Sequence, residues 1–252
     1  MIVRESKDTF TLIAQHDHAT LSGEMFMMLK RDFVSAEHYE SLSFAIFQHD
    51  RAWQVPDSAP IWDDLRQKPF DFNTYPEELK VSFYKNGIDQ VDRVNSYSAL
   101  LCSKHYSSFY QHSTDEIGRS FYEREIQRQK HLMGKLKVHK DFLDYQLRIL
   151  KFCDDLSLYV CMNKVGASKV EEIDLFKKGF DNSELFNDRN DTKIVASYVD
   201  RKTISFNVSP FSKRFDVKVP VKVVRKERIA ETGLLQAYKE EKFSHMLVQI
   251  GL

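Results

Sequence analysis

The hydrophobic period changes once along this chain, and that change limits the fold more than any other feature. Between about residues 15 and 163, apolar residues recur every three or four positions, as in Leu21, Met25 and Met28, in Leu42, Ile46 and Trp53, and in Leu143, Leu147 and Leu150. That spacing places side chains on one face of a helix. Later, Phe215, Val217, Val219, Val221 and Val223 alternate with Asp216, Lys218, Pro220 and Lys222, the two-residue period of a strand. A long helical stretch followed by a cluster of strands predicts an α+β protein, not an alternating barrel.

Finer signals divide the chain further. Residues 1–14 read as an amino-terminal hairpin with a Ser-Lys-Asp turn. Helices are expected from an Asp17 cap to about Arg31, from Ala36 to Trp53, briefly after Pro76, and from Tyr97 to Gln111. A Ser113/Glu116 capping box would open the next helix, to about Lys130, with Gly134 separating it from a last helix over Val138–Asn163. Between Gln54 and Tyr75, Pro56, Pro60 and Pro69 break regular structure, while Trp62, Phe70, Phe72 and Tyr75 lie among them. So aromatic an irregular segment is expected to pack over something. A polar linker around Ser183–Asp191 should lead into antiparallel strands, a helix or loop at Leu234–Lys239 and a closing strand over His245–Ile250, with the amino-terminal hairpin in the same sheet. The predicted organisation is the hairpin (1–14), a helical core (15–165) and an antiparallel strand region packed on that core (190–252).

Composition narrows the function classes. The 252 residues suffice for a sizeable core, and 37 Lys and Arg balance 37 Asp and Glu, so no general attraction to nucleic acid or anionic membrane is expected. Oligomeric state is left open. Cys102, Cys153 and Cys161 are too few for a disulfide framework and read as buried thiols in a reducing compartment. The opening MIVRESKDTF lacks the basic and apolar regions of a secretory signal, and no apolar run approaches membrane-spanning length. A cytoplasmic protein is expected.

The chemistry-bearing residues emerge from the helical stripes. His18 precedes Leu21 and Met25 at helical spacing, His49 falls between Ile46 and Trp53, His105 between Leu101 and Phe109, and Asp154 between Leu150 and Leu158. Taken singly, each is ordinarily a core histidine or a buried ion pair, with Arg148 or Arg51 as partner for Asp154. Four such residues on four helices, with Asp50 beside His49, favour a divalent metal. A carboxylate in an apolar stripe must be paired or coordinated, and mixed imidazole and carboxylate ligands suit manganese, iron, zinc, nickel or cobalt. His131, His139 and His245 lie among charged positions and read as surface residues. The sequence His16-Asp17-His18 after a strand resembles the His-x-His of amidohydrolases, but the chain lacks the barrel pattern.

The order His18, His49-Asp50, Asp154, the last in a Cys-Asp-Asp-Leu-Ser segment, resembles the H…HD…D signature of the HD superfamily of metal-dependent phosphohydrolases. The resemblance implies an HD-like helical core with His18, His49, Asp50 and Asp154 as metal ligands, and His105, together with His112, as accessory ligands or phosphate contacts. More closely, MIVRE, QHDHATLSGE, HDRAW, CDDLSLYVC and the later SPF resemble a bacterial domain-of-unknown-function family, 3891, over nearly the whole chain. The expected function is a metal-dependent phosphohydrolase acting on a small phosphorylated molecule or nucleotide, with Asp50 and His105 catalytic. The alternative is a non-catalytic ligand-binding or regulatory module that retains the helical metal pocket.

Overall fold

The computed structural model describes residues 1–187 and 192–251. Strands β1 (Ile2–Glu5) and β2 (Thr9–Ile13) form the expected hairpin, followed by α1 (Gln15–Met28), α2 (Tyr39–Gln48) and a short α3 (Gln54–Ser58). A two-stranded ribbon, β3 (Trp62–Asp63) and β4 (Lys68–Pro69), precedes α4 (Glu77–Asp92), α5 (Ser96–Ser108), α6 (Glu116–Leu136), α7 (Lys140–Met162) and α8 (Asp174–Lys177). The remaining elements are β5 (Ala196–Tyr198), β6 (Thr203–Phe206), β7 (Phe215–Arg225), α9 (Lys226–Thr232), α10 (Leu234–Glu240) and β8 (Ser244–Ile250). No helix among the described residues is long and apolar enough to cross a membrane.

Helix α1 packs on α2 and α7, and α5 packs on α2, α4, α6 and α7. The stripes on α1, α2, α5 and α7 therefore meet in one core. Strand order is β1-β2-β7-β8-β6-β5, so the amino-terminal hairpin does join the carboxy-terminal strands. One face, through Val217, Val219 and Val221, belongs to the helical core. On the other, Phe10, Leu12 and Val224 pack against Ile229, Leu234 and Tyr238 of α9 and α10. Lys222 turns toward that second core, donating to the Tyr238 carbonyl at 2.7 Å, while Val223 is left exposed. The alternation of β7 thus serves two different cores.

Several local expectations are corrected. Asp17 does not cap α1, which starts at Gln15 with Ala14 in the cap position. The Gln15 backbone N–H donates instead to Asp57 Oδ2 at 2.6 Å, and Asp57 Oδ1 lies 2.7 Å from the Met1 amino group. A carboxylate distant in sequence satisfies the helix end that local sequence leaves bare. For α6 the cap is Asp115, whose side chain accepts from the Gly118 N–H at 2.8 Å, and Ser113 donates to Asp115. Gly134 lies inside α6, and the chain leaves that helix at Lys137, with φ 54°. The segment from Ala36 to Trp53 is not one helix: α2 stops at Gln48, and Arg51–Trp53 form a tight 3-10 turn. The stretch from Gln54 to Tyr75 contains α3 and the ribbon. The strands are not all antiparallel, because β6 and β8 pair in parallel. Of the expected linker, Ser183–Phe186 form a 3-10 turn with Phe186 buried; residues 188–191 lie outside those described.

The turn after His49-Asp50 is held by close approach of α4. A Cβ on Gly87 would lie 2.8–2.9 Å from Ala52 Cβ, Cα and N, and backbone cannot yield as a flexible side chain can. Helix propensity favours Gly87→Ala by about 1 kcal/mol, whereas overpacking typically costs about 1–3 kcal/mol. We expect a net loss of stability, seen as a lower urea midpoint for Gly87→Ala; a raised midpoint would contradict this packing.

Candidate metal centre

His18, His49, Asp50, His105 and Asp154, on or beside α1, α2, α5 and α7, are brought to one place and all are buried. His49 Nε2 lies 3.3 Å from Asp154 Oδ1, His18 Nε2 3.6 Å from the same oxygen, and His105 Nε2 3.5 Å from Asp154 Oδ2. The rings of His18, His49 and His105 stand edge to face in sequence, with centroids 5.1 and 5.3 Å apart. His18, His49 and Asp154 form the compact set, each offering a ligand atom within 4.8 Å of the others. Asp50 borders it, with Oδ2 3.0 Å from His18 Nε2.

Hydrogen bonds behind the rings decide which nitrogens face inward. His49 Nδ1 is 2.7 Å from the Ile46 carbonyl, which can only accept, so this nitrogen carries the proton. Ser157 Oγ donates to the Asp154 carbonyl at 2.8 Å and lies 2.7 Å from His18 Nδ1, which donates to it. In its neutral form His49 therefore turns an Nε2 lone pair into the site, the arrangement by which outer partners orient metal-binding histidines, while His18 Nε2 faces Asp50 Oδ2 at 3.0 Å. Asp50 is clamped similarly, accepting from Tyr106 Oη and Gln15 Nε2, each at 2.9 Å.

The donor set fits a divalent cation. Among the described residues His49 Nε2 is buried and has no hydrogen-bond partner; its 3.3 Å approach to Asp154 is a charge contact without hydrogen-bond alignment. Burial opposes ionisation of Asp154, but His49 and the other imidazoles outweigh it and hold the carboxyl below the usual range. Asp50 is also held down, burial again being outweighed, chiefly by the His18 hydrogen bond. For His49, burial disfavours the imidazolium, but the charge of Asp154 dominates and raises it to about 9. Burial pushes His105 the other way, to about 4, against the pull of Asp154. Two ionised carboxylates in so dry a place demand positive charge, which protonated His49 supplies in part and a divalent cation would supply in full. Arginine does not: Arg51 donates to Gln90 and Gln48, and Arg148 is exposed.

The cluster opens into a cavity of about 200 Å³ whose walls include Gln15, Trp53, Phe72 and Asp155. Of the aromatic segment, Phe72 lines the site together with the preceding Trp53, whereas Trp62 packs on Phe10 in the second core. His112 stands apart from the cluster: α5 ends at Ser108, so the helical spacing from His105 lapses, and His112 is exposed. His131, His139 and His245 are exposed and the three cysteines are buried free thiols, as expected. Sequence reasoning missed Gln15, Tyr106, Asp57 and Asp155. Gln15 had a usable signal, three positions before His18 on the same helix face. Its Oε1 is buried without a hydrogen bond from the described residues, leaving an acceptor at the cavity wall. Asp155 is pushed up to about 8 by burial and by the charge of Asp154, against Lys151.

Four helices pointing three imidazoles and two carboxylates at one point, with a mixed sheet alongside, define a helical protein with a candidate metal centre. The chain belongs to the family described as Protein of unknown function (DUF3891), whose model matches residues 1–226. No curated protein and no solved structure matches it.

Proposed function

We propose that this chain is a metal-dependent phosphohydrolase of HD type, acting on a small phosphorylated molecule or nucleotide. The observation that carries the reading is the convergence of three imidazoles on Asp154, with His49 Nε2 buried and lacking a hydrogen bond. His18, His49, Asp50 and Asp154 would hold the cation, with His105 beside them. A divalent cation supplies Lewis-acid stabilisation of phosphoryl charge and makes water more acidic.

The protein's own groups have matching roles. Asp50, fixed by Tyr106 and Gln15, is the acceptor for the proton of an attacking water. His105, kept neutral by burial, offers an N–H to a phosphoryl oxygen. Trp53 and Phe72 at the cavity wall limit solvent entry, which strengthens charge interactions inside.

The test is a phosphomonoester panel with the full chain loaded in turn with manganese, iron, zinc, nickel or cobalt. Release of inorganic phosphate is expected, falling about 100-fold or more in Asp50→Asn and His105→Ala, the usual scale for losing a proton-transfer or charge-stabilising group. Retained metal without turnover on any ester would contradict the reading and leave a binding module.

A further inference from the structure

From a second cavity beside the metal centre we infer that the chain binds phosphomonoesters whose leaving group carries a planar, aromatic and uncharged ring, and that Phe109 is the platform for that ring. The inference rests on the phosphate-binding role proposed above and adds the class of group attached to the phosphate.

The second cavity, of about 550 Å³, lies between the start of α4 and the chain following α5. Phe72, Tyr84 and Phe109 line both it and the inner cavity, so the same rings wall the ligand cluster and the outer space. Phe109 stands edge-on to His105 with centroids 4.9 Å apart, yet is 56% exposed. Tyr84 stacks on Tyr106 at 4.0 Å, and Tyr106 holds Asp50. A ligand with its phosphate at the metal centre would therefore carry its next group past Phe109. An apolar ring left this open beside a polar site gains most from covering by another flat ring.

Charge excludes other occupants. Lys80, the only Lys or Arg among the described residues lining the outer cavity, is paired with Glu77 at 3.0 Å. Glu77 also accepts from Tyr110, and Asp115 is engaged in capping α6. A chain of further phosphates would find no unpaired Lys or Arg there, and a bare sugar, which has no π face, would gain less from the rings than a flat aromatic group. Asn73, whose side-chain amide makes no hydrogen bond with the described residues, lines the same cavity and can meet the edge of a planar ring.

Calorimetric titration of the manganese-loaded full chain with adenosine 5′-monophosphate, phenyl phosphate and ribose 5-phosphate tests the inference, with phosphate release recorded alongside. Stacking of a ring on an aromatic side chain corresponds to roughly a tenfold gain in affinity, so at least one of the aromatic esters should bind about that much more tightly than ribose 5-phosphate. The better of the two identifies a nucleoside or a simple aryl group. Phe109→Ala should erase the advantage and Phe109→Trp restore it, both with unchanged metal content. Equal binding of all three esters, binding of none, or an advantage that survives Phe109→Ala would overturn the inference. An advantage without turnover keeps the aromatic subsite and removes the phosphohydrolase reading; turnover of all three esters at equal kcat/KM does the reverse.

Discussion

Asp154→Ala and His49→Ala are each expected to remove divalent-cation binding from a folded chain, while His131→Ala leaves it intact. Among the described residues Asp154 is the only one that all three imidazoles approach, at 3.3–3.6 Å, so its removal takes away the charge on which they converge. His49 lies between the other two rings and contributes one of the three atoms of the compact set. His131 is exposed on α6 and reports non-specific histidine binding. The consequence can be read as ligand-linked stability: a cation at 1,000 times its Kd stabilises the native state by about 4 kcal/mol. Wild type and His131→Ala should show that gain in thermal unfolding with and without manganese or zinc; the two site variants should show none. A full gain in Asp154→Ala would remove that residue from the ligand set.

Trp53→Ala should cost about 3–5 kcal/mol, the range for deleting a large buried aromatic side chain. Trp53 is 1% exposed and meets Tyr75, Phe83 and Tyr84 edge to face, at centroid distances of 5.5–5.9 Å. It ends the turn that follows His49-Asp50, its N–H donating to the Asp50 carbonyl at 3.0 Å, and it also walls the inner cavity. The same substitution should therefore lower urea stability and weaken metal affinity together. Trp53→Phe, which keeps a ring in the pocket, should recover most of both. A loss below about 1 kcal/mol in Trp53→Ala would mean that the aromatic segment is not part of the core.

The buried histidine and aspartate cluster was legible in the sequence because burial and helical period are local signals. His18, His49, His105 and Asp154 each interrupt an apolar stripe, and a polar residue there must find a partner inside. His112 marks the limit of that logic, since its spacing from His105 has meaning only while the helix continues, and α5 ends first. The supporting residues were hidden for a different reason. Asp57 caps α1 from 42 positions away, and Tyr106 reaches Asp50 from a helix met 56 positions later; no periodicity encodes such pairings. The capping box on α6 failed because two candidates two positions apart compete, and the geometry selects Asp115 over Ser113. The sheet was legible as strands but not in its order, because the parallel pairing of β6 with β8 depends on α9 and α10, which carry the chain from β7 to the antiparallel β8 beside it.

The most direct measurement is elemental analysis of the untagged protein beside its His49→Ala/Asp50→Ala double variant, with folding of both checked by circular dichroism. The account predicts near-stoichiometric transition metal in the wild type and its loss in the folded variant. Equal metal content in the two proteins, or none in either after incubation with manganese, iron, zinc, nickel and cobalt, would contradict it.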